Sequence, residues 1–182
     1  MSTLEVKELS HPAGQVIKIA SGKTLDLNSQ GTLVLPTVPH AKMPSGSVLQ
    51  VIQVGYNTTV GSTTNTFVDT GLTATITPSS TSSKILVTFN QQGVGKWSNN
   101  TSCSLRLIRG STQLQIAGDY TPYTSSGLEV RGLSVTSQYL DSPSTTSATT
   151  YKVQFRSLNN NATAAVNDPQ GNSTITLMEI AQ

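Results

Sequence analysis

The sequence is poor in charged residues and contains a single cysteine. Charged side chains make up 11% of its 182 residues, against about 25% in an average soluble protein. The formal net charge is only +2, and the lysines and arginines lie far apart, so the clustered cations that nucleic-acid binding requires are not found. Because Cys103 is the only cysteine, an intrachain disulfide and a cysteine-based zinc site are excluded. We predict that Cys103 is a small buried side chain on a strand.

Long hydrophobic runs are also missing. No stretch approaches the ~20 consecutive apolar residues of a membrane helix. The first residues, Met1–Leu9, mix charges with short apolar steps and lack the apolar core of a signal peptide. We therefore expect neither membrane insertion nor export through a signal sequence.

The sequence offers little for catalysis. Its two histidines, His11 and His40, precede the main run of strand candidates, so a Ser-His-Asp triad is not expected. The acidic residues are well separated in sequence, which disfavours the facing carboxylates of a glycosidase, although pairing across strands stays open. A histidine near a threefold axis would be tripled and could bind a metal, but exposed or packed histidines are the simpler expectation. We predict a protein without enzymatic activity, metal or cofactor.

From Ser47 onward the sequence reads as a succession of strands. Strict alternation over 72–76 and 151–156 predicts strands with one apolar face, and the nearly continuous apolar run 48–54 predicts a strand buried on both faces. Further strand candidates lie at 85–89, 103–108, 114–116, 128–140 and 173–180. No helical segment is available for parallel crossovers. We predict an all-β fold for residues 47–182: an antiparallel, jelly-roll-like sandwich of about eight strands.

Residues 1–46 differ from the rest of the chain in composition and sequence pattern. They hold four of the eight prolines and repeat a short unit in which a glycine precedes an apolar-x-apolar strand. Such short strands cannot shelter their apolar side chains alone, whereas three chains wound together could. We predict an extended N-terminal arm or short trimeric shaft, ending in a proline-rich linker, that serves attachment and trimerisation; the alternative is an arm lying across its own domain. The predicted shaft-packing residues are Ile17, Ile19, Leu25, Leu27, Leu33 and Leu35.

Several short motifs, in this order along the chain, carry a family resemblance. They are Gly46–Gln53, Phe67–Leu72 with Ile76–Ser80, Ser82–Val87, Leu107–Thr112 and Thr174–Ile180. Together they resemble small trimeric fibre and head-decoration proteins of tailed bacteriophages, especially marine and cyanobacterial ones. The resemblance implies a homotrimer with a jelly-roll-like head and an N-terminal segment anchored to the major capsid protein or to a tail component.

A virion protein would also explain a surface-type composition without a signal peptide, because it folds in the host cytoplasm and is released by lysis. We therefore predict a structural protein on the virion surface, either a capsid decoration (cement) protein or a short fibre. The alternatives are a host-glycan-binding tail-fibre head and a carbohydrate-binding module of a bacterial extracellular protein.

Three aromatic residues of the predicted head lie in polar surroundings that favour a glycan site. Trp97 belongs to a polar segment, and Tyr120 and Tyr123 belong to the segment Asp119–Tyr123. Aromatic faces can stack on sugar rings, and loops on a rigid sandwich commonly carry recognition. Alternatively, Trp97 packs over a sheet edge and the tyrosines fill a seam between subunits.

Overall fold

A computed structural model describes residues 39–97, 100–169 and 171–182 of the protein. The described chain begins with a 3-10 turn at His40–Lys42. Ten strands follow: β1 Val48–Tyr56, β2 Val60–Ser62, β3 Val68–Ile76, β4 Lys84–Lys96, β5 Thr101–Arg109, β6 Thr112–Thr124, β7 Val130–Asp141, β8 Thr149–Ser157, β9 Ala164–Val166 and β10 Ser173–Ile180.

The eight longer strands form two antiparallel sheets with jelly-roll connectivity. The first sheet has the order β1-β10-β4-β7, and the second has the order β3-β8-β5-β6. The short strands β2 and β9 extend the first sheet, because β9 pairs with the end of β4 and β2 pairs with β9. Successive strands mostly change sheet, which is the arrangement of two Greek keys. The predicted all-β, jelly-roll-like sandwich is therefore confirmed, and two short strands are added to it.

The core forms between the inner faces of the two sheets. In β3, Leu72, Ala74 and Ile76 are at most 3% exposed, while the threonines between them face solvent. In β8, Tyr151, Val153 and Phe155 are fully buried. These are the positions that strict alternation predicted, since side chains of a strand point alternately to opposite faces. Burying each large apolar side chain contributes about 1.5–3 kcal/mol. Cys103 is fully buried.

Two local expectations differ from the structure. β1 is not buried on both faces, because it is the edge strand of its sheet and its outer-face Val51 is 56% exposed. The strand predicted at 114–116 is much longer, since β6 runs from Thr112 to Thr124 and includes Tyr120 and Tyr123. Pro122 lies within that strand. An edge strand such as β6 tolerates a proline, because the N–H that proline lacks is not needed on the open side of the strand.

The two ends of the sandwich differ in what they carry. At one end, called here the entry end, the chain joins β1: Gly46 donates its N–H to Ala181 O at 2.8 Å, and Ala181 donates to Ser47 O at 2.9 Å. The opposite, loop end carries the connections β1–β3, β4–β5, β6–β7 and β8–β10. The predicted shaft residues Ile17, Ile19, Leu25, Leu27, Leu33 and Leu35 lie outside the described residues. The division at residue 46 stays a prediction.

Candidate functional site

Trp97 lies at the loop end, directly after β4, and is held there from several sides. Its backbone N–H donates to Thr163 O at 2.9 Å, and its indole N–H donates to Asp168 Oδ2 at 2.9 Å. The Arg131 guanidinium lies 5.0 Å from the centre of the ring, a distance at which a cation and an aromatic face attract each other. Trp97 is therefore half-buried and packed against its own chain.

Arg131 links this tryptophan to two carboxylates. It donates to Asp168 Oδ2 at 3.1 Å and to Glu129 Oε2 at 2.9 Å. Asp168 thus accepts from an indole and a guanidinium at the same oxygen. The hydrogen bond to Glu129 is the main cause that raises the pKa of Arg131, and the charge of Asp168 adds to it. One ring face of Trp97 is thereby occupied by a cation, which leaves less of the ring for a ligand.

The loop that carries Asp168 crosses β4 at a glycine. Asn167 and Asp168 donate their N–H groups to Gln92 O and Gly93 O at 2.9 and 3.1 Å. Gly93 has φ +60°, and a Cβ there would lie 2.1 Å from Asp168 N. Only glycine combines this left-handed conformation with so close a backbone approach, so Gly93 determines where Asp168 meets Trp97.

Hydrogen bonds among buried polar side chains also hold this loop in place. Gln91 Nε2 donates to Asn167 Oδ1 at 2.9 Å and to Ser173 Oγ at 2.7 Å. Asn167 Nδ2 donates to Thr58 O at 2.9 Å. Gln91, Asn167 and Ser173 are fully buried, where unpaired polar groups would be costly. These side chains therefore hold the β8–β10 and β1–β2 connections in one arrangement.

Tyr120 and Tyr123 form the most exposed aromatic pair of the described chain. They are 57% and 47% exposed, with ring centroids 6.1 Å apart and ring planes at 71°. This edge-to-face geometry is a favoured one for aromatic pairs. Tyr123 Oη donates to Asn100 Oδ1 at 2.9 Å, so the pair is anchored to the β4–β5 connection.

Lys96 connects the two aromatic regions. It is fully buried, and its Nζ donates to Thr124 O at 3.2 Å, to Ser126 O at 3.1 Å and to Thr124 Oγ1. Trp97 follows Lys96, and Tyr123 precedes Thr124, so the predicted glycan residues lie at one end of the sandwich. Within the described residues, no hydrogen bond or ring contact joins Trp97 to either tyrosine. A role of the three residues in glycan binding stays a prediction.

Sequence reasoning missed a charged cluster on the outer face of the β3-β8-β5-β6 sheet. The guanidinium groups of Arg106 and Arg156 lie 4.1 and 4.8 Å from the ring centre of Phe67. Lys152 Nζ donates to Asp69 Oδ2 at 2.9 Å. Burial by itself would raise the pKa of Asp69, but its hydrogen bonds to Gln154 and Lys152 outweigh that effect and lower it. The spacing of these residues in sequence, up to 89 positions apart, gave no local signal for the cluster.

A cavity of about 260 Å³ lies at the entry end, away from the aromatic residues. It is lined by His40, Met43, Leu49, Ser79, Ser80, Ser82, Ser83, Ala181 and Gln182. His40 is the only imidazole there, and no acidic side chain belongs to the lining. Among the described residues, no group of three or more histidines, cysteines or acidic residues is placed to hold a metal ion.

Comparison with protein-family models found no match, and comparison with curated proteins found no significant match. Within the part of the chain that the structure describes, there is no helix long and apolar enough to cross a membrane.

Proposed function

We propose that this chain is a structural protein of a bacteriophage virion, a homotrimeric capsid decoration (cement) protein or a short fibre on the particle surface. The proposal starts from the ordered motifs that resemble small trimeric fibre and decoration proteins. The jelly-roll fold supports it, because the resemblance implied that fold for the same residues. We propose no catalytic role, and the expected location is the virion surface.

One observation carries the proposal: the chain enters the head at one end, and the aromatic residues Trp97, Tyr120 and Tyr123 lie at the other. The chain enters β1 at the entry end, where Gly46 and Ser47 bond to Ala181. The nine residues of β1 span about 30 Å at roughly 3.3 Å per residue. A head that is tethered at one end by residues 1–46 would therefore present the loop end outward. This geometry suits a protein bound to the major capsid protein or to a tail component.

A second candidate function is host-glycan binding by the outward end of the head. The observation in its favour is the Tyr120–Tyr123 pair, exposed and fixed in an edge-to-face arrangement on an edge strand. Rigid aromatic surfaces next to amide groups such as Asn100 are suited to stacking on sugar rings while hydrogen-bonding their hydroxyls.

The main test joins a mass measurement to a particle-binding measurement. Light scattering on the purified full-length protein should give about three times the 19.2 kDa of one chain. The protein should also cosediment with phage particles or capsids that lack it. A mass of one chain, together with no binding to particles, would contradict the proposal.

A glycan array separates the candidate functions. If the head binds a host glycan, Tyr120→Ala should lower the retained signal at least about tenfold, as expected for the loss of a central aromatic contact. Thr112→Ala is the control, since Thr112 is exposed at the other end of the same strand. Particle binding without glycan binding favours decoration, whereas glycan binding without particle binding favours a carbohydrate-binding module of a bacterial extracellular protein.

A further inference from the structure

Four apolar side chains form one row across the outer face of the β1-β10-β4-β7 sheet. Val51 pairs with Met178, Met178 pairs with Leu86, and Leu86 pairs with Leu140. Adjacent strands lie about 4.8 Å apart, so the row crosses the whole sheet. Val51 and Leu140 are 56% and 51% exposed, and the two residues between them are half-buried. The row is a continuous apolar band, not a set of scattered surface residues.

The surroundings of this row contain almost no charge. The next row along the strands is polar but uncharged: Gln53, Thr176, Thr88 and Gln138. On the other side, Ile180 pairs with Val48 and with Lys84. Lys84 is the one charged residue in these two flanking rows.

The outer face of the opposite sheet provides the contrast. It carries Asp69, Lys152, Arg106 and Arg156, and much of their bonding capacity is used within the face. Lys152 pairs with Asp69 at 2.9 Å, and Arg106 donates to Gln154 Oε1 at 2.7 and 2.9 Å. A charged and internally bonded face of this kind is stable in water, whereas a row of aliphatic side chains gains free energy when it is covered.

We propose that a second copy of this chain covers the row Val51–Met178–Leu86–Leu140, which thereby forms part of the subunit contact of the homotrimer. The inference rests on the proposed function, from which the trimer comes. The cores of homo-oligomer interfaces are more apolar than ordinary surface and are depleted of charged residues, as this face is. A charged partner would find no complementary groups here except Lys84.

The same chain also has exposed apolar side chains outside the row. A threefold contact joins two different surfaces of identical subunits. On the β6–β7 side of the sandwich, Ile116, Leu128 and Leu133 are 42%, 61% and 39% exposed. The β1 end of the row lies at the opposite edge of its sheet from β7. Exposed apolar side chains therefore lie outside the row as well as in it, so the row of one copy can meet apolar side chains of the next.

Cysteine labelling of the full-length protein tests this inference. The variants are Val51→Cys and Leu140→Cys, and the control is Thr75→Cys, an exposed position on the outer face of the opposite sheet. The native Cys103 should stay silent because it is fully buried and burial raises the pKa of its thiol. In protein with the mass of three chains, a maleimide should modify the two row cysteines at least about tenfold more slowly than the control, as closed contacts protect their groups. Dilution that separates the subunits should remove the difference.

The outcomes separate this inference from the function on which it rests. If the mass corresponds to three chains and the row cysteines react as fast as the control, the trimer stands but this surface is not its contact, and the inference is wrong. If the mass corresponds to one chain and the row cysteines are still protected, residues 1–38 of the same chain cover the row, which also overturns it. Protection only after binding to phage particles would assign the row to the particle and not to a second copy.

Discussion

Glu179 provides the sharpest stability test, because it is a fully buried carboxylate with its hydrogen bonds identified. It lies near the end of β10 and is 0% exposed. Its oxygens accept from Ser79 N at 2.7 Å, from Ser79 Oγ at 2.6 Å and from Gln50 Nε2 at 2.6 Å. Burial by itself would raise the pKa of Glu179, but these hydrogen bonds outweigh it and lower the pKa below the ordinary value of 4.5.

The perturbation is Glu179→Gln, which keeps the shape and removes the charge. Hydrogen bonds to a charged group contribute about 1.5–3 kcal/mol each, and the amide keeps part of them while turning its NH2 group toward a donor. We expect a loss of about 2–3 kcal/mol in the free energy of unfolding at pH 7. With roughly 140 residues at ~2.1 cal/mol/K each, this lowers the melting temperature by about 7–10 °C.

The stabilising effect of the Glu179 carboxylate should depend on pH. Because the pKa of Glu179 is lower in the folded state than in the unfolded state, the carboxylate stabilises the fold fully above pH 4.5, and this contribution disappears as the pH falls through the folded-state pKa. The stability difference between the wild type and the variant should therefore be smaller at pH 3 than at pH 7.

Urea unfolding measures the stability difference between wild type and variant at pH 7 and at pH 3. Unfolding is followed by circular dichroism and by fluorescence of the single tryptophan, at one fixed protein concentration. The matched control is Glu129→Gln, whose side chain is 53% exposed in a surface ion pair with Arg131 and should cost less than about 1 kcal/mol. The reasoning is refuted if Glu179→Gln costs under about 0.5 kcal/mol at pH 7, or if the cost is the same at both pH values.

Three further predictions concern the loop end and the arm. Lys96→Met should destabilise the protein by about 1–3 kcal/mol in thermal unfolding, because it leaves the oxygens of Thr124 and Ser126 without their buried donor; an unchanged melting temperature would contradict this. Gly93→Ala should lower the free energy of unfolding by at least about 3 kcal/mol, since the new Cβ would lie 2.1 Å from a backbone atom. The control Gly110→Ala, at φ +54° with open space around it, should lower it by only about 1 kcal/mol. Equal losses would count against the close approach at Gly93. Removing residues 1–46 should abolish particle attachment in a cosedimentation assay and keep the β-sheet circular dichroism spectrum, and retained attachment would argue against the role given to the arm.

The sequence predicted the core well where each strand has one buried face. Leu72, Ala74 and Ile76 alternate with threonines, and the alternation identified the inner face without any tertiary information. The same reasoning failed at β1, where a nearly continuous apolar run suggested burial on both faces. Val51 belongs to the outer face of an edge strand, and a periodicity cannot tell a covered outer face from an open one.

The candidate site was less predictable, because its contacts join residues that are distant in sequence. The acceptors of Lys96 lie 28 and 30 positions away, and Asp168 lies 71 positions from Trp97. The strand prediction stopped at residue 116, yet β6 continues past Gly118 and Pro122 to Thr124, because an edge strand tolerates both residues. Strand register, which sequence alone did not give, also decides that Met178 and Leu140 share one row.

The joining of Gly46 and Ser47 to Ala181 has a mechanical consequence. A pull on the arm, opposed by a load on the loop end, draws β1 along its own axis past β10. The hydrogen bonds of an antiparallel pair run perpendicular to the strands. The bonds that join β1 to β10 would therefore bear such a force together instead of breaking one at a time. A head tethered in this way resists drag from flowing liquid better than one pulled from a hairpin turn.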